Sequence, residues 1–175
     1  MLIVAMVEHG QSTKLSSFPF IGLQDDVDDT LLRKAEEVVD IAPYPSYHKI
    51  LFSWRIQHGD FQGAAAVMYK RLQLLRNSSS AELDVNFETL EISEAYLAVI
   101  NALSCVKEEN AWFFVSRVEK DESSSKRAKI DGKSAQIRVA LSLEDVRTEY
   151  AVELERQQII IGKVADEFGL DDVDI

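Results

Sequence analysis

Any chemistry in this chain would have to start from very few residues. There are three histidines, His9, His48 and His58, and one cysteine, Cys105. A zinc site needs His, Cys and acidic ligands clustered by short spacings. No HExxH or CxxC occurs, and His48 and His58 sit nearly three helical turns apart, too far to share a metal. Both read as polar or half-buried helix residues. Cys105 has no basic neighbour in sequence to lower its pKa, and it reads as a small core residue. Asp25, Asp26, Asp28 and Asp29 invite a divalent cation. A calcium loop, however, wants oxygen ligands at alternate positions, a glycine at the sixth and a glutamate at the twelfth. Those spacings are missing, and the aspartates read as a helix start, where carboxylates face the positive end of the dipole and cap free N–H groups. The seven glycines are scattered, so no phosphate-cradling loop, GxGxxG or GxSxG elbow forms. The inventory predicts no enzyme, no catalytic or metal-binding residues, and no cofactor.

Composition narrows the class further. A chain of 175 residues, 46% hydrophobic and 28% charged, can bury a core and reads as one soluble domain over residues 1–175. Three prolines and seven glycines suit long helices better than a turn-rich β fold. The excess of 30 acidic over 19 basic residues, net −11, disfavours binding to a phosphate backbone. A single cysteine excludes an internal disulfide and suits a reducing compartment. No apolar run approaches the roughly 18 residues of a membrane span. Residues 1–7 are apolar but lack the basic flank and cleavage site of a signal peptide. They read as a helix entered in mid-course, as a fragment boundary would leave it.

The elements that would position these residues are best defined at the centre. Tyr47, Ile50, Leu51 and Trp54 fall at i, i+3, i+4 and i+7, one face of a helix. Pro45 can open that helix, Gly59 can close it in a left-handed cap, and Asp60 can cap the next one. Phe61, Ala64, Ala65, Met68, Leu72 and Leu75 give the second helix its buried face. The bulk-free run Gly63-Ala64-Ala65-Ala66 would let another backbone come close. The pair is an antiparallel helical hairpin, the repeat unit of an α-solenoid.

Before the hairpin, a loop with Phe18 and Phe20 docking on the core leads to a helix carrying Leu31, Leu32, Ala35, Val38 and Val39. After it, a third long helix is expected over about 86–106, with Leu90, Ile92, Ala95, Tyr96, Val99, Ala102, Leu103 and Val106 as its stripe. Trp112, Phe113 and Phe114 form an aromatic run that is either core or an exposed docking patch, and they are the candidate partner-binding residues. Residues 116–134 are rich in Ser and Lys and predict a flexible loop. Within it Lys126, Arg127 and Lys129 match the short basic pattern of a nuclear-import signal. Residues 136–141 alternate polar and apolar, which predicts one short extended segment. Ser142 and Asp145 then form an acidic variant of the capping box. Leu143, Val146, Tyr150 and Leu154 would line the core face of the last helix, with Ile161 beyond. Glu149, Glu153 and Arg156 would face water, and Gly162 would weaken the helix.

The stretch YHKILFSWRIQHGDFQGAAAVMYKRLQLLR, residues 47–76, resembles the large propeller-plus-solenoid nucleoporins of the Y-shaped outer-ring complex of nuclear pores, of the fungal type. The resemblance continues through residues 94–103, Asn110-Ala111-Trp112 and residues 143–150, and appears earlier at residues 18–23. It implies a segment near the C-terminal end of such a protein, without its propeller. The implied fold is all-α: an irregular α-solenoid of antiparallel helical hairpins. The implied place is the nuclear pore complex at the nuclear envelope. The implied role is a scaffold that holds other Y-complex nucleoporins, from the second arm and the stem at the hub, and supports mRNA export and protein transport. No direct contact with nucleic acid, no transmembrane segment and no small-molecule ligand are expected. A second class is a free-standing helical-repeat adaptor that takes a peptide or helix in a groove. Uneven helix lengths and the lack of a period near 34 residues weigh against it.

Overall fold

Apolar residues at helical spacing become helices along most of the chain, in a computed structural model that describes residues 2–15, 17–38, 45–78, 85–118 and 136–168. They are α1 (Leu2–Glu8), α2 (Ser12–Leu15), α3 (Gln24–Glu37), α4 (Tyr47–Gln57), α5 (Phe61–Ser78), α6 (Val85–Ser104) and α7 (Leu143–Phe168). Between α6 and α7 the chain forms two strands, β1 (Trp112–Val118) and β2 (Gln136–Ser142). Helices stack in chain order: α3 packs on α4, α4 on α5, α5 on α6 and α6 on α7. That is the near-neighbour packing of an all-α irregular solenoid.

The α4–α5 corner forms as its sequence dictates. Gly59 takes a left-handed φ of 78°. The Gly59 N–H then reaches Ile56 O at 3.2 Å and the Asp60 N–H reaches Arg55 O at 2.9 Å, the two bonds of a Schellman cap. Asp60 Oδ1 accepts the Gly63 N–H at 2.9 Å and so caps α5. Pro45 does not open α4. The helix starts at Tyr47, after an extended Ser46 whose hydroxyl accepts from Arg71 Nη1 at 3.1 Å and makes no cap bond.

Two hydrophobic clusters meet at α5. Ile3, Val7, Leu15, Phe20, Val27, Leu31, Leu51 and Trp54 form one, joined by Val67 of α5. Met68, Tyr69, Leu72 and Leu75 of α5 enter the other, with Ile92, Tyr96, Val99 and Leu103 of α6, Phe113 and Val115 of β1, Leu141 of β2 and Val146 of α7. α5 therefore shows an apolar side chain to each half of the molecule.

Several expectations change. The extended segment at 136–141 is a strand, but it pairs antiparallel with the aromatic run, Phe113 opposite Leu141 and Val115 opposite Val139. Among the described residues there are thus two strands, because alternate residues of the aromatic run find an apolar partner on the core side. Strand β1 also takes in residues 116–118 of the expected loop, while residues 119–135 lie outside the described residues. Of the two loop phenylalanines only Phe20 docks, edge-on to Trp54 at 6.0 Å. Phe18 remains exposed and lies against Phe20 at 4.9 Å. Leu90 is exposed because it sits two residues, about 200°, from Ile92 on α6. α6 ends at Ser104, so Cys105 lies past the helix and is exposed, with its thiol donating to Asn101 O at 3.3 Å.

The final helix also differs. Ser142 and Asp145 close the capping box from both sides: Ser142 N–H to Asp145 Oδ2 at 2.8 Å, and Asp145 N–H to Ser142 Oγ at 3.2 Å. Its core face, however, runs Val146, Tyr150, Glu153, Gln157, so Glu153 is buried and Leu154 exposed. That is the i, i+4, i+7, i+11 progression of a 3.6-residue period. α7 continues through Gly162 to Phe168 without a break.

Candidate interaction surface

Several of the charged groups inside join one helix to another. Arg71 of α5 is 5% exposed and donates to Ser46 Oγ and, at 2.5 Å, to Glu91 of α6. Lys49 of α4 reaches the same carboxylate at 3.1 Å and Glu94 at 2.8 Å. Burial pushes the Glu91 carboxyl up, but hydrogen bonds from Arg71 and Lys49 together outweigh it and hold it below the usual carboxylate range. Glu153 of α7 follows the same logic. Burial raises it, and Arg156, Gln157 and Arg76 pull it lower. Arg55 of α4 grips Asp28 of α3 with two nitrogens, at 2.8 and 2.5 Å, so one of the four aspartates is an ion-pair partner between helices. Asp25 and Asp26 lie in the first turn of α3, at the positive end of its dipole, where Leu23 supplies no side-chain cap.

His48 is not half-buried. It is 2% exposed, and its Nε2 has no hydrogen-bond partner among the described residues. Burial, with Arg71 and Lys70 nearby, lowers its pKa to about 4 and keeps the ring neutral. His58 instead lies on the surface, 4.0 Å from the Trp54 ring, with Nδ1 2.8 Å from Trp54 O. Among the described residues no three His, Cys, Asp or Glu side chains are arranged to hold a metal ion. No described helix is long and apolar enough to cross a membrane.

The aromatic run divides by strand alternation. Phe113 is 3% exposed and stands edge-on to Tyr69 at 5.3 Å, a core residue. Trp112 and Phe114 point the other way, 37% and 58% exposed, with their rings 5.1 Å apart and nearly perpendicular. Trp112 Nε1 donates to Glu109 O at 3.2 Å, which fixes the indole on the surface. Across the ladder stand Ser142 opposite Trp112 and Ala140 opposite Phe114, side chains too small to cover the rings. Lys126, Arg127 and Lys129 lie outside the described residues. Sequence reasoning missed the Arg71–Glu91 and Arg55–Asp28 pairs, which carry no local signal, and misjudged Glu153, whose spacing from Val146 did.

Helices stacked in order, interior charges that join them, and exposed aromatic rings on the outside define a helical scaffold segment. Comparison with known proteins is consistent with that class. A family model described as NUP160/120 middle TPR matches residues 1–105, from α1 through α6. The chain is 40% identical over 121 residues to nucleoporin NUP120 of Chaetomium thermophilum, an alignment covering 63% of the chain and 10% of that protein. It is 33% identical over 117 residues to nucleoporin nup120 of Schizosaccharomyces pombe, covering 67% and 10%. Nuclear pore complex protein Nup160 of Mus musculus aligns over 164 residues at 27% identity, covering 86% and 11%. The chain belongs to the NUP160/120 family of nucleoporins, components of the nuclear pore complex. It spans about a tenth of the length of the curated relatives it matches. The family description names the middle region of those proteins, where the resemblance implied a segment toward the C-terminal end.

Proposed function

We propose that the chain is a structural segment of the Y-shaped outer-ring complex of the nuclear pore. It holds nucleoporins of the second arm and the stem at the hub, supports mRNA export and protein transport, and catalyses nothing. The observation that carries this reading is the stacking of helices on their chain neighbours in a member of a nucleoporin family. Such an array supplies rigid reach, and its apolar surface supplies adhesion. Of the aromatic run, Trp112 and Phe114 make the partner contact, while Phe113 holds their strand on the core. The net charge of −11 argues against nucleic acid as the partner. Lys126, Arg127 and Lys129 serve in this reading as an import signal on the segment between the strands.

Size exclusion with light scattering tests it, on the chain alone and mixed with solenoid pieces of the other arm and of the stem. A stoichiometric complex is expected, lost on changing Trp112 and Phe114 together to serine while the helical circular dichroism is unchanged. A monomer that ignores both partners would sink the hub assignment and favour the peptide-binding adaptor.

A further inference from the structure

The hydrogen-bond phase of the two-stranded ladder tells which backbone groups face outward. Leu143 N–H donates to Ala111 O at 2.8 Å, which makes that pair hydrogen-bonded. Pairs alternate along an antiparallel ladder. Phe113 with Leu141 and Val115 with Val139 are therefore bonded pairs, and Trp112 with Ser142, Phe114 with Ala140 and Ser116 with Arg138 are not. Both ends of the ladder agree. The Trp112 carbonyl faces away from β2 and accepts from Gln62 Nε2 at 3.0 Å, and the Ser142 N–H faces away from β1 and goes to Asp145. On β2 that leaves the N–H and C=O of Arg138 and Ala140 directed outward. Both residues are exposed, and neither has a further backbone hydrogen bond among the described residues.

We propose that this outer edge of β2 receives an extended strand from a partner polypeptide, completing a three-stranded sheet. The inference rests on reading the chain as a partner-holding scaffold and specifies how the hold is made. A row of backbone groups in this phase matches another strand, whereas a helix has no free N–H and C=O row to offer. The side chains on the same face say which strand. Ala140 forms a low step beside the exposed Phe114 ring, so a large aliphatic or aromatic residue opposite Ala140 lies over the methyl group and against that ring. Arg138 projects from the same face, two positions along, and selects an acidic residue two positions from that apolar one. The edge carries no proline, lysine or bulge to block addition. A two-stranded ribbon gains cover from a third strand.

The test is backbone hydrogen exchange on the chain, alone and mixed with the outer-ring nucleoporins of the second arm and the stem, each purified singly. In the complex the Arg138 and Ala140 amides should exchange at least tenfold more slowly. Ala140→Pro removes an outward N–H that β1 does not use, so it should weaken the complex at least tenfold and leave the thermal midpoint nearly unchanged. If a complex forms while the two amides exchange as in the free chain, strand addition is overturned and the scaffold reading stands. If no complex forms with any of these proteins, the scaffold reading falls and takes strand addition with it. Should Ala140→Pro fail to fold, the wild-type exchange rates alone decide the matter.

Discussion

His48 is the residue whose burial has the clearest measurable consequence. Its ring is neutral in the folded chain, with a pKa lowered from 6.5 to about 4 by burial and by the Arg71 and Lys70 charges. A base with a depressed folded pKa leaves stability intact above its unfolded value and removes it as the unfolded chain takes up the proton. Stability should therefore fall from pH 6.5 towards pH 4, by roughly 3 kcal/mol at most. Glu91 acts lower down: its carboxyl is held below 4.5, so its contribution is present above that value and is lost as the pH falls through the lowered pKa. Urea unfolding at a series of pH values should show the slope between 6.5 and 4 flattened in His48→Gln. Parallel profiles for the two proteins would mean that another group titrates. Nothing local in the sequence marked His48 as buried. It sits beside Tyr47 and three residues from Leu51, on the edge of the predicted face, and α5, which carries Lys70 and Arg71, packs against α4.

At the scale of the element, the α4–α5 corner depends on two glycines for different reasons. Gly59 is needed for its left-handed backbone, as the hydrophobic pattern and Gly59-Asp60 together predicted. Gly63 looked like part of a smooth packing surface, but a Cβ there would collide with the Asp60 carboxylate that caps the helix. Alanine in a helix interior ordinarily stabilises by about 1 kcal/mol relative to glycine. Here Gly63→Ala should forfeit that gain, because it displaces a cap worth about 1 kcal/mol. In an Asp60→Ala background the same change should stabilise. A double-mutant cycle on urea midpoints checks the difference, and equal effects in both backgrounds would dismiss the steric account. The Ser142–Asp145 capping box was legible in full, since its signal lies within four residues.

For the whole molecule, α5 determines cooperativity. It supplies Val67 to one cluster and Met68, Tyr69 and Leu72 to the other, so loss of either core uncovers apolar side chains of α5. The two tryptophans happen to report on the two halves: Trp54 sits in the first cluster and Trp112 on the sheet of the second. Urea unfolding followed by Trp54 fluorescence in Trp112→Phe should coincide with its helical circular dichroism, and the same should hold for Trp112 in Trp54→Phe. A Trp112 transition at clearly lower urea than the helical signal would show that the sheet and α7 open separately.

The sequence by itself determined what depends on short range: helices from 3.6-residue periodicity, the Gly59-Asp60 corner, the capping box, the absence of catalytic motifs, and the family resemblance carried by residues 47–76. Tertiary structure decided what depends on partners distant in the chain. A strand's identity rests on what it pairs with, so Trp112 through Val118 became β1 only when residues 136–142 lay beside it. The same pairing, with its period of two, sent Phe113 inward and Trp112 and Phe114 out. Buried charge followed the same rule. Arg71 could enter the interior because Glu91 of the next helix neutralises it, and no local spacing encodes that pairing; Glu153 is paired by Arg76 of α5 as well as by Arg156 on its own helix.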